Sequence, residues 1–298
     1  MSVNIPDHFT ISFSTNIMLL LQQKGSKLRG TTMEGSHTGK QASPLDQIGK
    51  VEMTEVTNRF APMGRTDANV DRRWVTPTDY DLPQQIDTFD KLRLITDPES
   101  HYTQNAVLAA GRIIDTVVIR AFQATAKTGE QGATNTSFVA GNEVDVAVGG
   151  ANSRLNVQKL LTVKETMRAQ FVDFDTDEIY CGLTAKDESA LLNEIQIISS
   201  DFNGGDRPVM KDGKMSRFLG IQFVYCELIE SVAAGTNEVN VPVWAKSGMY
   251  LGIWNDIASD ISRRNDIRGI PFQSYVTLTC GATRLEENKV YNIESYRA

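Results

Sequence analysis

The chain has 298 residues, a formal net charge of −7, 41% hydrophobic residues and 22% charged residues. That length accommodates one large domain or two of ordinary size, and that composition places most of the chain among folded globular proteins. The acidic balance argues against a dedicated nucleic-acid binder, which carries a basic face, and suits a soluble protein that must not adhere to DNA.

The first apolar run, Ile17 to Leu21 (IMLLL), is short, follows polar Ser14, Thr15 and Asn16, and lacks a basic leader. It is therefore neither a signal peptide nor a membrane span, and the chain is expected to stay in the cytoplasm of the cell that makes it. Phe13, Ile17, Leu20 or Leu21 and Leu28 recur at helical spacing and predict a short amphipathic helix. From Gly25 to Ala42 the sequence is small, polar and Gly-rich, as expected for an extended arm rather than a packed element.

A hairpin pattern follows. Lys50 to Phe60 (KVEMTEVTNRF) alternates, the loop APMGRTDAN interrupts it, and Val70 to Asp81 runs back. A lone two-stranded ribbon is marginal in water, so this arm is expected to lie on another copy of the chain.

Asp97-Pro98-Glu99 is a helix start, with a carboxylate cap, Pro at the first helical position and an acid in the first turn. The run to Lys127 has no further proline, and Tyr102, Ala106, Ala109 or Ala110, Ile113, Val117, Ala121 and Ala124 form one stripe, ended by Gly129 and Gly132. At ~1.5 Å per residue this spine helix is about 45 Å long.

The remainder alternates. Phe138 to Val148 reads as strand, Leu155 to Phe171 as helix, Glu178 to Thr184 as strand and Lys186 to Ile198 as helix. Phe218 to Leu228 and Val239 to Val243 read as strands, and Gly248 to Ile261 is ambiguous between strand and helix. Phe272 to Thr283 and Lys289 to Glu294 are two closing strands around RLEEN. The whole is an α+β or mixed pattern without internal repeat. The three cysteines (Cys181, Cys226 and Cys280) each lie in an apolar, strand-like run and read as buried free thiols.

Catalytic and metal-binding chemistry is nearly missing. The three histidines, His8, His37 and His101, all precede the globular part, and no HExxH, Cys–His cluster or GxSxG occurs. GSHTGKQ (Gly35 to Gln41) is one residue short of a phosphate-binding loop, has Gln41 where Ser or Thr would hold magnesium, and reads as a flexible arm. DFDTDE (Asp173 to Glu178) begins like a calcium loop, but Glu178 replaces the required glycine and Thr184 the closing Glu, so it reads as an acidic turn. Glu286 and Glu287 read as solvated charge in a hairpin loop. No catalytic residue, cofactor or metal ligand is assigned, although an enzyme with a carboxylate-only site remains an alternative.

The order of these parts, a polar arm, a charged hairpin, a spine helix, a mixed domain and a closing strand pair, resembles the major capsid proteins of tailed bacteriophages, the HK97-fold family. The resemblance covers most of the chain. Its carriers are RRWVTPTDYDLPQQIDTFDKLRLITDP (Arg72 to Pro98) with YTQNAVLAAGRIIDTVVIRA (Tyr102 to Ala121), and SRFLGIQFVYCELI (Ser216 to Ile229) with SYVTLTCGATRLEENKVYNIES (Ser274 to Ser295). It implies an α+β capsid fold with an N-terminal arm at 1–49, an extended E-loop at 50–90 and a peripheral domain with the spine helix at 91–149. An axial domain at 150–269 and closing strands at 270–298 would follow. It further implies a virion protein that self-assembles through pentamers and hexamers into an icosahedral shell around packaged double-stranded DNA, which it touches weakly and non-specifically, with no membrane partner. Scaffolding, portal and decoration proteins are the further candidate partners.

An arm lying across a neighbour makes Arg59, Arg65, Arg72, Arg73, Trp74, Asp79 and Asp81 the candidate intersubunit contacts, their charges setting register. Some relatives cross-link through an E-loop lysine. Here Lys50 stands at the base and Arg65 near the tip, so packing is expected to be non-covalent. A long N-terminal scaffolding segment is not expected either. The alternatives within reach of the resemblance are an encapsulin-like nanocompartment shell and another phage structural protein.

Overall fold

The computed structural model describes residues 22–40, 46–55, 62, 64–86, 99–194, 215–232, 237–268 and 270–297. The first strands are β1 (Met33–Ser36), β2 (Asp46–Ile48), β3 (Val70–Trp74) and β4 (Thr78–Ile86), followed by helix α1 (Glu99–Gln123). Then come β5 (Ala126–Thr128), β6 (Thr134–Thr136), β7 (Glu143–Val144), α2 (Val157–Ala169), β8 (Ile179–Leu183) and α3 (Ala185–Leu192). The last third holds β9 (Arg217–Phe218), β10 (Ile221–Tyr225), α4 (Leu228–Val232), β11 (Glu238–Ala245), β12 (Met249–Arg263), β13 (Phe272–Arg284) and β14 (Val290–Tyr296).

The chain divides into two compact units. The larger comprises Lys27–Thr78, Ile114–Trp254 and Cys280–Ala298, and the smaller Met1–Ser26, Asp79–Ile113 and Asn255–Thr279.

The larger unit is built on a six-stranded mixed sheet in the order β7-β14-β11-β8-β10-β9. β11 pairs antiparallel with both β14 and β8, while β10 runs parallel to β8 and β7 parallel to β14. Every residue of β8 (IYCGL) is buried, as a strand covered on both faces requires. Val157, Leu160, Val163 and Met167 of α2 recur at helical spacing and pack into one cluster with Ile179, Cys181, Val241, Val243 and Ile293 of the sheet. Asn156 caps α2, its side chain accepting from the Lys159 amide at 2.8 Å. Thr184 caps α3, with Asp187 and Glu188 in its first turn.

β2, β3, β5 and β6 form a separate antiparallel sheet in that order. β1, β12, β13 and β4 form another. β1 runs parallel to Tyr250–Ile253 at the start of β12. The first five residues of β12 are buried, whereas Asn255 to Arg263 are mostly exposed.

Several sequence expectations change. Part of the Gly25–Ala42 arm is packed: Leu28, Thr31 and Thr32 are buried, and Leu28 lies in a turn, not a helix. The Lys27 and Leu28 amides donate to the Asp115 carboxylate at 2.9–3.0 Å, and Trp244 Nε1 donates to Thr31 O at 3.0 Å. Polar, Gly-rich composition concealed a segment anchored by its own backbone. The rest of the proposed N-terminal helix, Phe13 to Leu21, lies outside the described residues.

α1 ends at Gln123, earlier than Gly129, and its 25 residues span about 38 Å at ~1.5 Å each. Its buried stripe is Ala106, Ala110, Ile114, Val118 and Phe122, one residue past the expected Ile113 and Val117. At the helix end Arg284, itself fully buried, donates to the Phe122 carbonyl at 2.7 Å and also to the Ala124 carbonyl just beyond, satisfying carbonyls the helix leaves open.

Of the strand expected at Phe138 to Val148, Glu143–Val144 alone pairs. Beyond it the Val146 amide donates to the Glu294 carboxylate and the Ala147 amide to Asp145, so side chains replace the ladder. The single strand expected from Phe218 to Leu228 is a hairpin. Leu219 and Gly220 both have positive φ (55° and 88°), forming a two-residue turn between β9 and β10. Gly248 to Ile261 is strand from Met249 on. The outgoing limb of the charged hairpin is Asp46–Ile48, and residues 50–55 carry no strand.

Candidate intersubunit surface

β3 reads VDRRW, and strand alternation sends Asp71 and Arg73 to one face and Arg72 and Trp74 to the other. Arg72 makes a two-pronged pair with Asp46 across the β2–β3 ladder, at 2.5 and 3.0 Å, and both side chains remain open to solvent. Hydrogen bonding to Arg72 holds the Asp46 carboxyl below its ordinary value. The Arg72 guanidinium also lies 5.9 Å from the centre of the Trp74 ring.

Arg73 is instead consumed inside the subunit. Its side chain is 8% exposed, bonded to Glu287 at 3.1 Å and to Gln47 at 3.3 Å. Glu287 also accepts from Arg284 at 2.9 Å, so one carboxylate serves two buried arginines. Glu287 is thus a structural anion, contrary to its reading as solvated charge. Trp74 is similarly fastened: Nε1 donates to Gly129 O at 2.7 Å, and a Cβ on Gly132 would lie 3.1 Å from the ring. At φ 70°, Gly132 supplies both the turn and the space.

Arg65 is highly exposed and pairs locally with Asp67 at 2.8 Å. Arg59 lies outside the described residues. Asp79 and Asp81 belong to the smaller unit, where they accept from Thr279 at 2.8 Å and Tyr275 at 3.4 Å. They line an open polar cleft of about 450 Å³ with Tyr80, Asn255 and Thr277. Arg65, Arg72, Asp79 and Asp81 present charge to solvent, while Arg73 and Trp74 hold the ribbon to its own subunit.

Four apolar side chains in and just after the β2–β3 ladder are exposed, of which sequence reading placed Val51 and Met53 on one face of the hairpin and missed Ile48 and Val70. Ile48 and Val70 are register partners and are 73% and 64% exposed, and Val51 and Met53 follow at 54% and 102%. Ile48 was missed because Asp46–Ile48 was not recognised as strand.

The DFDTDE turn is held by its own side chains: Asp173 accepts from the Asp175 amide at 3.0 Å and from the Thr176 hydroxyl at 2.6 Å. Gly35 and Ser36 of the GSHTGKQ stretch lie in β1. The three cysteines are free and buried, and burial pushes the Cys226 thiol up to about 11. Among the described residues, no helix is long and apolar enough to cross a membrane, and no His/Cys/Asp/Glu group is disposed to hold a metal.

The sequence matches a family described as phage capsid protein over residues 5–296. No curated protein matches it. Among solved structures it is similar to the capsid protein of cyanophage P-SCSP1u, at 14% identity and a TM-score of 0.73, covering 98% of this chain and 94% of that one. It is also similar to the cyanophage Pam1 capsid protein, at 11% identity and a TM-score of 0.75 over 100% and 99% of the two chains. The Ralstonia phage GP4 capsid protein gives 10% identity and a TM-score of 0.69 over 100% and 98%. At these identities the likeness concerns the fold, which is the α+β arrangement of HK97-like capsid proteins. With its full-length family match, the chain belongs to the phage capsid protein family, a structural component of the virion and not an enzyme.

Proposed function

We propose that this chain is the major subunit of an icosahedral shell enclosing the packaged double-stranded DNA of a tailed phage. The observation that carries the reading is a group of exposed apolar side chains in and just after the β2–β3 ladder, Ile48, Val51, Met53 and Val70. Exposed apolar groups of this kind mark protein contacts, and in a capsid protein the available partner is another copy.

In this reading residues 1–49 form the arm and 50–90 the loop that crosses the neighbour. Residues 91–149 belong with β13 to the peripheral domain, while 150–269 form the axial domain of pentamers and hexamers together with β14, which pairs with β11. Arg65, Arg72, Asp79 and Asp81 set register between copies by charge. Arg59 belongs with them by its place in the loop. The net charge of −7 keeps the shell from gripping DNA, and the family assignment favours DNA over an enzyme cargo as its content. Scaffolding, portal and decoration proteins complete the particle.

Met53→Asp tests the reading. Because the side chain is fully exposed, the isolated subunit should change by no more than about 0.5 kcal/mol. Assembly followed by light scattering should be strongly impaired. Shell formation at the wild-type yield would contradict the assignment of this group to a subunit contact.

A further inference from the structure

Helix α2 ends in a complete Schellman motif. The Phe171 amide donates to Arg168 O at 3.0 Å and the Val172 amide to Met167 O at 3.0 Å, while buried Val172 and Met167 supply the accompanying apolar pair. This closure places Phe171 at φ 63°, in the left-handed region where glycine or asparagine fits freely and an aromatic residue is uncommon. The ring nevertheless gains nothing from its own subunit, since Phe171 is 90% exposed. Glycine here would relieve the backbone and remove an aromatic side chain from water. The residue is thus unfavourable twice over within the subunit.

The corner that carries it is firm and two-signed. Asn288 donates to Gln170 Oε1 at 3.3 Å, and the Asp173 side chain fixes the next turn. Arg168 stands exposed on the last turn of the helix, and Asp173 and Asp175 stand exposed on the turn that follows. Asp177 and Glu178 further along are matched within the subunit by Lys289 at 3.7 Å and Lys246 at 3.1 Å. Arg168 lies 5.5 Å from the centre of the Phe174 ring and attracts Asp173, so the exposed charges around this corner are of both signs and offer an identical copy opposite as well as like charge.

We infer that Phe171 is an anchor that inserts against a second copy of this chain, with Arg168, Asp173 and Asp175 as the charged residues of its rim. An aromatic residue rimmed by charge has the composition of an interface hot spot. The inference rests on the shell reading, and its test separates the two.

Phe171→Asn keeps a residue suited to positive φ. Dissociated Phe171→Asn subunits should melt at or above the wild-type temperature, while the concentration needed for half-assembly rises by about tenfold or more. A second variant, Phe171→Cys, reads coverage directly, because the three native cysteines are buried. A maleimide should label the introduced thiol rapidly in dissociated subunits and at least about tenfold more slowly in assembled shells. If wild-type and variant shells form and the introduced thiol reacts equally in shell and subunit, the anchor is overturned while the shell stands. A Phe171→Asn subunit that loses stability but assembles normally overturns it as well, by showing that the ring packs at home. If the wild type never assembles, both readings fall.

Discussion

Lys159 brings a cationic group into the core of the larger unit, where its side chain is fully buried and Nζ donates to the carbonyls of Ser153 at 2.8 Å and Glu294 at 2.7 Å. Burial pushes its pKa down to about 8, against the pull of Glu294, Asp187, Asp145 and Glu238. In the unfolded chain it keeps the ordinary 10.5, so between about 8 and 10.5 the unfolded state holds more protons and stability rises with pH. Below about 8 both states are protonated, and the cost of the buried ammonium is present in full. Lys159→Met removes this dependence. Urea denaturation of dissociated subunits should therefore show wild type gaining on the variant from about pH 8 to pH 10, and a constant difference would refute the assignment. Nothing in the run VQKLLTVKE marks Lys159 as buried, since a lysine between Gln158 and Leu160 is equally at home on a helix surface. Its carbonyl partners come from Ser153, ahead of the helix, and from Glu294 in β14. The Arg73–Glu287–Arg284 cluster was hidden for a related reason: Arg73 lies far in sequence from its partner, and each member resembles a surface charge.

At the scale of elements, the periodic segments were legible and the segments held by single polar groups were not. α1, α2, β8, β11, β13 and β14 follow from their apolar residues, because each buries either a periodic stripe or, as in β8, a short continuous apolar run. The 27–36 strap does not, since it is fixed by backbone amides on one carboxylate and carries few apolar side chains of its own. Asp115 is fully buried in α1, and its two oxygens accept from the Lys27 and Leu28 amides. Asp115→Ala leaves those amides without their acceptor and should cost about 2–3 kcal/mol in the dissociated subunit. The loss should be local as well as global. Limited proteolysis should cut the variant between Lys24 and Ser36 well before the wild type, and equal resistance would show that the strap is held by other contacts.

At the scale of the whole molecule, the order of the parts carried the fold, and the comparisons with solved capsid proteins agree with it along the length of the chain. The contact surface was less legible. The sequence displays the charges of the ribbon plainly, but whether a charge is spent inside its own subunit depends on distant partners, as Arg73 shows beside Arg72. Exposed Ile48 and Val70 required the β2–β3 register before they could be recognised as opposed partners. Both features point to a protein whose unsatisfied surfaces are completed by further copies. The most direct test is negative-stain electron microscopy of the purified protein, with light scattering on the same sample. Closed shells tens of nanometres across, or rings of about five and six subunits, are the predicted result. A monodisperse monomer or dimer that never assembles, even with the other structural proteins of its phage supplied, would contradict the account.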